Sequence, residues 1–251
     1  MEYPEVAKLY KYRSVNEYSL AALKNYEVWI ATPESFNDPF DCQLEPGKLK
    51  NSHELQDQIF QIIDEAYSPE EAEKQKREIS EENKDKPIQY FEDDILNKHL
   101  EEASEMGILS LSEKRDHILM WSHYADHHKG FCIEFHREDS EYNVLKHFMC
   151  RPVEYREDYP NLHQVLDHLD INLYTKAKDW EYEAEWRLVL KDGGKLFPCP
   201  GPITGIIFGL RMSESDRKKV ISSLPHLEGI IFYQAKKRPG AFALDIEKIE
   251  I

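Results

Sequence analysis

Residues 118–135 decide the fold, and they read Ile-Leu-Met-Trp-Ser-His-Tyr-Ala-Asp-His-His-Lys-Gly-Phe-Cys-Ile-Glu-Phe. The first seven residues predict a short helix that carries Trp121, His123 and Tyr124. A histidine-rich turn closed by Gly130 follows, and the mainly apolar residues after it predict a strand. Polar and aromatic side chains beside such a turn are typical of a pocket wall, although Trp121 would serve equally well as a core residue.

The rest of the chain supplies the elements that surround this segment. Alternating or apolar runs predict further strands at residues 9–13, 28–32, 107–112, 148–155, 184–190, 204–210, 229–233 and 241–246. Periodicity and composition predict helices at residues 15–26, 51–67, 69–83, 88–106, 162–178 and 213–223. Pro39 excludes helical geometry at Asp38, so residues 35–41 should be irregular. We expect one α+β domain over residues 1–251, with a mostly antiparallel sheet and residues 50–106 as a charged helical insertion.

Composition limits the classes of protein to which the chain can belong. Its 251 residues are 41% hydrophobic and 12% aromatic, which predicts an ordered core. The net charge of −16 argues against a broad nucleic-acid surface. No apolar run is long enough to span a bilayer and the first residues lack signal-peptide features, so the expectation is a cytoplasmic protein with no membrane partner. Four scattered cysteines indicate reduced thiols (Cys42, Cys132, Cys150 and Cys199).

Charged side chains on two predicted strands form the first candidate site. Strand alternation places Tyr10 and Tyr12 on one face of the opening strand and Arg13 on the other. The same alternation places Glu183 and Glu185 on one face of a late strand, together with Arg187. Two carboxylates so close together repel each other unless a cation such as the Arg187 guanidinium lies near. The alternative is an edge strand with a Glu–Arg ladder on the protein surface.

Three motifs carry a family resemblance. Phe-Asn-Asp-Pro-Phe-Asp at residues 36–41, the segment at residues 120–135, and Lys-Ala-Lys-Asp-Trp-Glu-Tyr-Glu-Ala-Glu-Trp-Arg at residues 176–187 resemble a widespread bacterial domain-of-unknown-function family, number 2971. The resemblance spans nearly the whole chain and is weakest in the charged helical block. This family implies no established activity.

A more remote resemblance is to ADP-ribosyltransferases, in which an Arg or His strand, a Ser-x-Ser strand and a Glu-x-Glu strand follow in that order. Here Arg13, Ser110-Leu-Ser112 and Glu183-Ala-Glu185 occur in the same order. The resemblance implies a split sheet with NAD lying across the split. Arg13 would bind its phosphates or ribose, and Ser110 or Ser112 would orient the nicotinamide ribose. Glu185 would stabilise the oxocarbenium-like state, and Glu183 would activate the acceptor.

The same resemblance implies a nicotinamide pocket and a function. Tyr12, Trp121, His123 and Tyr124 would complete the cofactor-binding set, because the helix ending at Tyr124 and the strand after Gly130 resemble the segment that lines this pocket. The implied activity is that of an ADP-ribosyltransferase or NAD glycohydrolase acting as a bacterial toxin or anti-phage effector. NAD would be the co-substrate and small-molecule ligand, no metal is expected, and the protein or nucleic-acid acceptor stays open.

Three other interpretations stay open. Asn37, Asp38 and Asp41, together with the Glu-x-Arg strand, would suit a magnesium-dependent nuclease. His123 and His127 are four residues apart and would share one face of a continuing helix, as metal-binding histidines do. The third interpretation is a non-catalytic sensing module, in which the aromatic pocket binds a small ligand and the helical insertion docks a protein partner.

Overall fold

The computed structural model describes residues 5–44, 57, 59–61, 63–65, 67–82, 88–138, 143–160, 164 and 170–251, and for residues 82 and 88–96 it describes the backbone alone. The chain divides into two compact units. The first unit comprises Met1–Ser35, Met106–Val153 and Lys178–Ile251, and the second comprises Phe36–Glu105 and Glu154–Ala177. The second unit therefore takes in nearly all of the expected insertion, the residues before it from Phe36 onward, and a segment distant in sequence.

Twelve strands are present in the described residues. In chain order they are β1 (Lys8–Arg13), β2 (Glu27–Ile30), β3 (Gly107–Ser112), β4 (Phe131–His136), β5 (Cys150–Pro152), β6 (Glu154–Arg156), β7 (Thr175–Ala177), β8 (Glu185–Leu190), β9 (Lys195–Pro198), β10 (Ile203–Phe208), β11 (Ile231–Lys237) and β12 (Leu244–Ile249). The helices are α1 (Glu17–Asn25), α2 (Pro69–Glu82), α3 (Ile88–Glu105), α4 (Ile118–Tyr124) and α5 (Glu214–Ser222). Short 3-10 segments occupy Pro33–Ser35, Val144–Lys146, Ile171–Tyr174 and Lys178–Glu183. None of the described helices combines the length and the apolar character that crossing a bilayer requires.

The first unit is built on one eight-stranded sheet in the order β12-β11-β10-β4-β1-β3-β8-β5. Only β10 and β11 run parallel, joined through α5, and all other neighbours are antiparallel. The expected mixture of helices and a mostly antiparallel sheet is confirmed, and the sheet is open. The described strands of this sheet form a continuous series, although β1 and β3 share a single registered pair, Tyr10 with Ser112.

Strand alternation divides the core of the first unit between the two faces of the sheet. On one face, Leu9 of β1 packs in a large apolar cluster with Phe135 and Trp186. On the other face, Tyr10 and Tyr12 pack in a second cluster. Because successive strand residues point to opposite faces, β1 contributes to both clusters and separates two different environments.

The helix-to-strand segment folds as the sequence predicts. Helix α4 ends at Tyr124, the turn follows, and β4 begins at Phe131. A Cβ on Gly130 would lie 2.1 Å from the carbonyl oxygen of Arg13 and 3.0 Å from that of Ala125. Only glycine therefore allows the turn to pass this close to β1.

Two predicted elements differ from the structure in type or extent, and one observed strand was not predicted. The expected helix at residues 162–178 is a 3-10 segment and then β7 over residues 171–177, and most of residues 161–169 lie outside the described residues. The expected strand at residues 148–155 is divided into β5 and β6, because Pro152 lacks an N–H and the two strands join different sheets. The third difference is β9, which pairs with β2 and was not predicted. Most of the expected helix at residues 51–67 also lies outside the described residues.

The second unit contains α2, α3 and the parallel pair β6–β7. A buried ion pair in this unit links the motif at residues 36–41 to the motif at residues 176–187. The Lys176 ammonium lies 3.6 Å from the Asp41 carboxylate, and both side chains are buried. Lys176 is therefore a strand residue paired with an acid rather than a lysine at a helix end. Asp38 accepts a hydrogen bond from the Phe40 backbone N–H at 2.9 Å, as expected of an irregular turn.

Candidate functional site

A row of four buried polar residues crosses the centre of the large sheet. Glu134 on β4 pairs with Tyr10 on β1, Tyr10 pairs with Ser112 on β3, and Ser112 pairs with Glu185 on β8. Directly paired residues point to the same face, with Cβ atoms about 5 Å apart. The four residues are between 0% and 7% exposed. We call Glu134, Tyr10, Ser112 and Glu185 the polar row, and central strands seldom bury so many polar groups without a reason beyond stability.

Glu134 is the best-satisfied member of the polar row. Its carboxylate accepts hydrogen bonds from Lys8 at 2.7 Å, Thr204 at 2.9 Å and Tyr10 at 3.2 Å. Burial, and then the negative charge of Glu134, raise the pKa of Tyr10. The Tyr10 phenol therefore stays protonated and donates to the carboxylate.

Ser112 holds the chain where it enters β8. Its hydroxyl donates to the Glu183 carbonyl oxygen at 2.5 Å and accepts from the Lys114 backbone N–H at 3.0 Å. Between the two glutamates, Ala184 has a φ of +42°, a left-handed conformation that is unfavourable for alanine. Glu183 consequently belongs to a 3-10 segment and Glu185 begins the strand. The prediction that both glutamates lie on one strand is therefore wrong, because β8 starts only after this bend.

The two glutamates have different partners. The Tyr124 hydroxyl donates to Oε1 of Glu183 at 2.6 Å, and Glu183 is only 3% exposed. Arg187 donates to both carboxylate oxygens of Glu185, at 2.9 and 3.2 Å, with both side chains buried. This two-point contact stabilises the negative charge of Glu185 and fixes its orientation. The neutralising cation that the sequence required is thus Arg187.

Five aromatic side chains lie together beside Glu183, and we call them the aromatic group (His117, His123, Tyr124, Trp180 and Tyr182). The rings of His117 and Tyr182 stack with centroids 5.3 Å apart. The Tyr182 hydroxyl lies 3.4 Å from Nδ1 of His123, and the Trp180 ring lies 6.0 Å from that of Tyr182. Such rings offer flat faces for a planar heterocycle and polar atoms at their edges.

A cavity of about 540 Å³ opens next to the aromatic group, and we call it the histidine cavity. It is lined by Ser14, Ser122, His123, Tyr124, Asp126 and His127. The turn that forms one wall holds Asp126, His127 and His128 at φ values of 44°, 52° and 70°. Three consecutive left-handed residues other than glycine cost on the order of 1–3 kcal/mol each, and such strain tends to occur at functional sites.

His128 anchors this strained turn. Its ring stacks on Trp121 with centroids 6.4 Å apart, and its Nε2 lies 3.1 Å from the Ser122 hydroxyl. Among the described residues, no group bonds to its buried Nδ1. Burial, with the nearby Arg211 and His127, lowers the pKa of His128. The ring is therefore held neutral, as a packed part of the turn rather than a charged ligand.

The structure brings some predicted site residues together and leaves others apart. Arg13 lies on the face of β1 opposite Tyr10, and hence opposite Ser112 and Glu185. Ser110 pairs with Arg187, and its carbonyl accepts from Lys11 at 2.6 Å. Arg13 therefore does not share one side of the sheet with Ser112 and Glu185, as the expected NAD site required.

Two other predicted ligand contacts are core residues. Trp121 is fully buried, and its indole N–H donates to the Arg115 carbonyl at 2.9 Å. Tyr12 is 4% exposed, packs edge-on against Trp121 and donates to the Lys114 carbonyl at 2.6 Å. Their polar atoms are already bonded, so the rings of His123 and Tyr124 are the ones that reach the histidine cavity.

The metal-binding interpretations gain no supporting geometry. In the described part of the chain, no group of three or more His, Cys, Asp and Glu side chains is positioned to hold a metal ion. His127 lies beyond the end of α4, so it does not share a helix face with His123. Asp38 and Asp41 belong to the second unit, where Asp41 pairs with Lys176.

Sequence reasoning missed Glu134, which lies at one end of the polar row. Glu134 is the only acidic residue among the apolar residues of β4, and this contrast is a signal that the sequence contains. Tyr10 was part of the candidate site, on the same strand face as Tyr12, but its contact with Glu134 was not foreseen. Their pairing depends on a register that joins residues more than a hundred positions apart.

Comparison with known proteins gives one match. A family described as "Protein of unknown function (DUF2971)" matches residues 120–188, from α4 into β8, rather than nearly the whole chain as expected. No curated protein and no solved structure matches the chain. These comparisons give no support to the expected resemblance to ADP-ribosyltransferases.

Proposed function

We propose that the protein cleaves the N-glycosidic bond between nicotinamide and ribose in NAD, as an ADP-ribosyltransferase or NAD glycohydrolase. The observation that carries the proposal is the direct pairing of Ser112 with Glu185. It brings the Ser-x-Ser and Glu-x-Glu elements together, although more than seventy residues separate them in the chain. Glu183, next to this pair, is bonded to Tyr124, which lines the histidine cavity.

Glu183 is the catalytic carboxylate in this proposal. When the C1′–N bond breaks, its electron pair stays with the nicotinamide nitrogen, and the ribose becomes a cationic oxocarbenium-like species. A fixed negative charge stabilises this cation more than it stabilises the substrate. Water or a protein acceptor then attacks C1′ and loses a proton to solvent or to the carboxylate. Tyr124 orients the Glu183 side chain through its 2.6 Å hydrogen bond.

The remaining residues take positioning roles. Ser112 fixes the backbone of Glu183, and Arg187 fixes Glu185, so both glutamates are held before substrate arrives. This pre-organisation lowers the cost of reaching the reactive geometry. His123 and Tyr182 offer ring faces to the nicotinamide. Compared with the sequence-based expectation, Glu183 takes the role first given to Glu185, because Glu183 is bonded to Tyr124, which lines the histidine cavity, whereas Glu185 is paired with Arg187.

The experiment measures nicotinamide released from NAD by chromatography, with and without cell extract as a source of acceptors. Wild-type protein should release nicotinamide, and Glu183→Gln should lower the rate at least about 100-fold, as loss of one transition-state contact does. Glu228→Gln is the matched control, because this glutamate is exposed and contributes to neither cavity. Its rate should equal that of the wild type.

Near-ultraviolet circular dichroism and thermal unfolding establish that each variant keeps its fold. The proposal is wrong when folded wild-type protein releases no nicotinamide above the buffer rate under either condition. It is equally wrong when Glu183→Gln retains the full rate. Glu185→Gln distinguishes the two glutamates, since a larger loss for Glu185→Gln than for Glu183→Gln would return the catalytic role to Glu185.

A further inference from the structure

A second cavity, of about 470 Å³, lies on the face of the sheet that bears Arg13. Its walls are mainly apolar and include Leu23 of α1, Val28 of β2 and Ile133 of β4. Trp29, which is 46% exposed, also lines this cavity. We call it the Arg13 cavity, and its volume falls in the range of small-molecule sites, about 300–1,000 Å³.

Arg13 is the unusual residue of this cavity. Arg13 is half-buried, and among the residues that the structure describes no hydrogen-bond, ion-pair or stacking partner contacts its guanidinium. Burial lowers the pKa of Arg13 to about 10, and no nearby charge offsets that effect. Glu27 also lines the cavity but forms no ion pair with Arg13. A guanidinium in an apolar environment without an anion is energetically unfavourable.

Two arginines of the first unit that are more buried than Arg13 show how the fold normally satisfies a guanidinium. Arg187 contacts both oxygens of the Glu185 carboxylate. Arg137 donates to the carbonyl oxygens of Leu145 and Val6, and its guanidinium also lies over an aromatic ring at 4.3 Å. Arg13 has no such compensation within the described residues, so its fork of donors is available to a ligand.

We propose that the Arg13 cavity binds a small carboxylic acid with an apolar body. The Arg13 fork would receive the two carboxylate oxygens, and the apolar body would lie against Leu23, Val28 and Ile133. Lys11, which also lines the cavity, donates to the Ser110 carbonyl and adds positive charge near the carboxylate. A carboxylate fits better than a phosphate ester, because Lys11, Arg13 and Glu27 together give the cavity lining one net positive charge, which a single negative charge neutralises. This proposal does not depend on NAD cleavage.

Calorimetric titration of the whole chain tests the proposal with decanoate and 2-naphthoate as probes. Each is compared with its neutral amide, which has nearly the same shape, and inorganic phosphate is titrated alone. We expect at least one carboxylate to bind at least tenfold more tightly than its amide, and phosphate not to bind. Arg13→Met should remove this preference, whereas Lys24→Met, on the exposed side of α1, should preserve it.

Two further measurements keep the test decisive. Without ligand, Arg13→Met should leave the midpoint of thermal unfolding unlowered, because no described protein group bonds to the guanidinium that it removes. Ala22→Phe, which retains Arg13 but fills the cavity from α1, should abolish binding of both carboxylates. The proposal is overturned when neither carboxylate binds wild-type protein at about 1 mM. Equal affinity for acid and amide, tighter binding of phosphate, or unchanged carboxylate binding by Arg13→Met would also overturn it.

Discussion

Replacing Glu134 with leucine should strongly destabilise the first unit. The Glu134 carboxylate is fully buried and accepts hydrogen bonds from Lys8, Tyr10 and Thr204. Leucine has a similar volume but no acceptor, so the donors lose their partner. The Lys8 side chain is 39% exposed and can turn toward water, whereas the Tyr10 hydroxyl is buried and cannot.

The magnitude follows from counting the donors left without a partner. Each buried donor that loses its acceptor costs about 1–3 kcal/mol. Tyr10 and the half-buried Thr204 together give a loss of about 3 kcal/mol in the free energy of unfolding, with Lys8 contributing little. A loss of that size lowers the unfolding midpoint by roughly 6–12 °C in a protein of this length. Glu247 provides a matched control, because its ion pair with Lys236 is 2.6 Å long but about half exposed on both sides.

Urea unfolding followed by circular dichroism measures both variants under the same conditions. Glu247→Leu should change the free energy of unfolding by less than about 1 kcal/mol, because exposed ion pairs contribute little. Equal losses in the two variants would show that burial does not set the energy of the Glu134 interactions, and the reasoning about the polar row would then be refuted.

Three further predictions follow from the site and its supporting turn. Tyr124→Phe should lower nicotinamide release about tenfold, because the Glu183 carboxylate loses the hydroxyl that orients it. The free energy of unfolding should fall by about 1–3 kcal/mol, since Glu183 is buried. An unchanged rate in folded protein contradicts the role of Tyr124. Burial lowers the pKa of His128 in the folded state, so the neutral ring contributes stability above its ordinary pKa of 6.5. That contribution is lost as the pH falls through the folded-state pKa. Urea unfolding at several pH values should therefore show a smaller drop in unfolding free energy on acidification for His128→Phe than for wild type. Gly130→Ala should cost about 3 kcal/mol, because the added Cβ meets backbone at 2.1 Å. Gly229→Ala, where the nearest atoms lie beyond 4 Å, should cost only about 1 kcal/mol from its positive φ, and thermal unfolding of both compares them.

Local patterns predicted the elements around the site well. The segment at residues 118–135 folds as the expected helix, turn and strand, because its apolar spacing and Gly130 act over a few residues. The same local reasoning failed at residues 171–177, where a helical pattern lost to strand pairing between β6 and β7. It also failed at Ala184, because no local sequence pattern predicts a left-handed backbone conformation at an alanine.

The candidate site was only partly predictable for the same reason. Alternation along β1 correctly predicted that Arg13 and Tyr12 point to opposite faces of the strand. Because Tyr10 shares the face of Tyr12, the same prediction implied that Arg13 lies opposite the polar row. The proximity of Ser110 and Ser112 to the Glu-x-Glu element was expected from a resemblance, whereas their register was not. The bidentate contact between Arg187 and Glu185 was foreseeable, because residues two apart on a strand share a face.

The sequence by itself determined the alternation of each strand, the position of the tight turn and the acidic character of the chain, since these depend on neighbouring residues. Only the tertiary structure decided that Glu134, Tyr10, Ser112 and Glu185 form one row and that Arg13 lines a cavity in which no described residue pairs with its guanidinium. Which strands become neighbours, and in which register, depends on burying apolar faces from distant parts of the chain at once. That choice minimises the free energy of the whole fold and is not contained in any single segment.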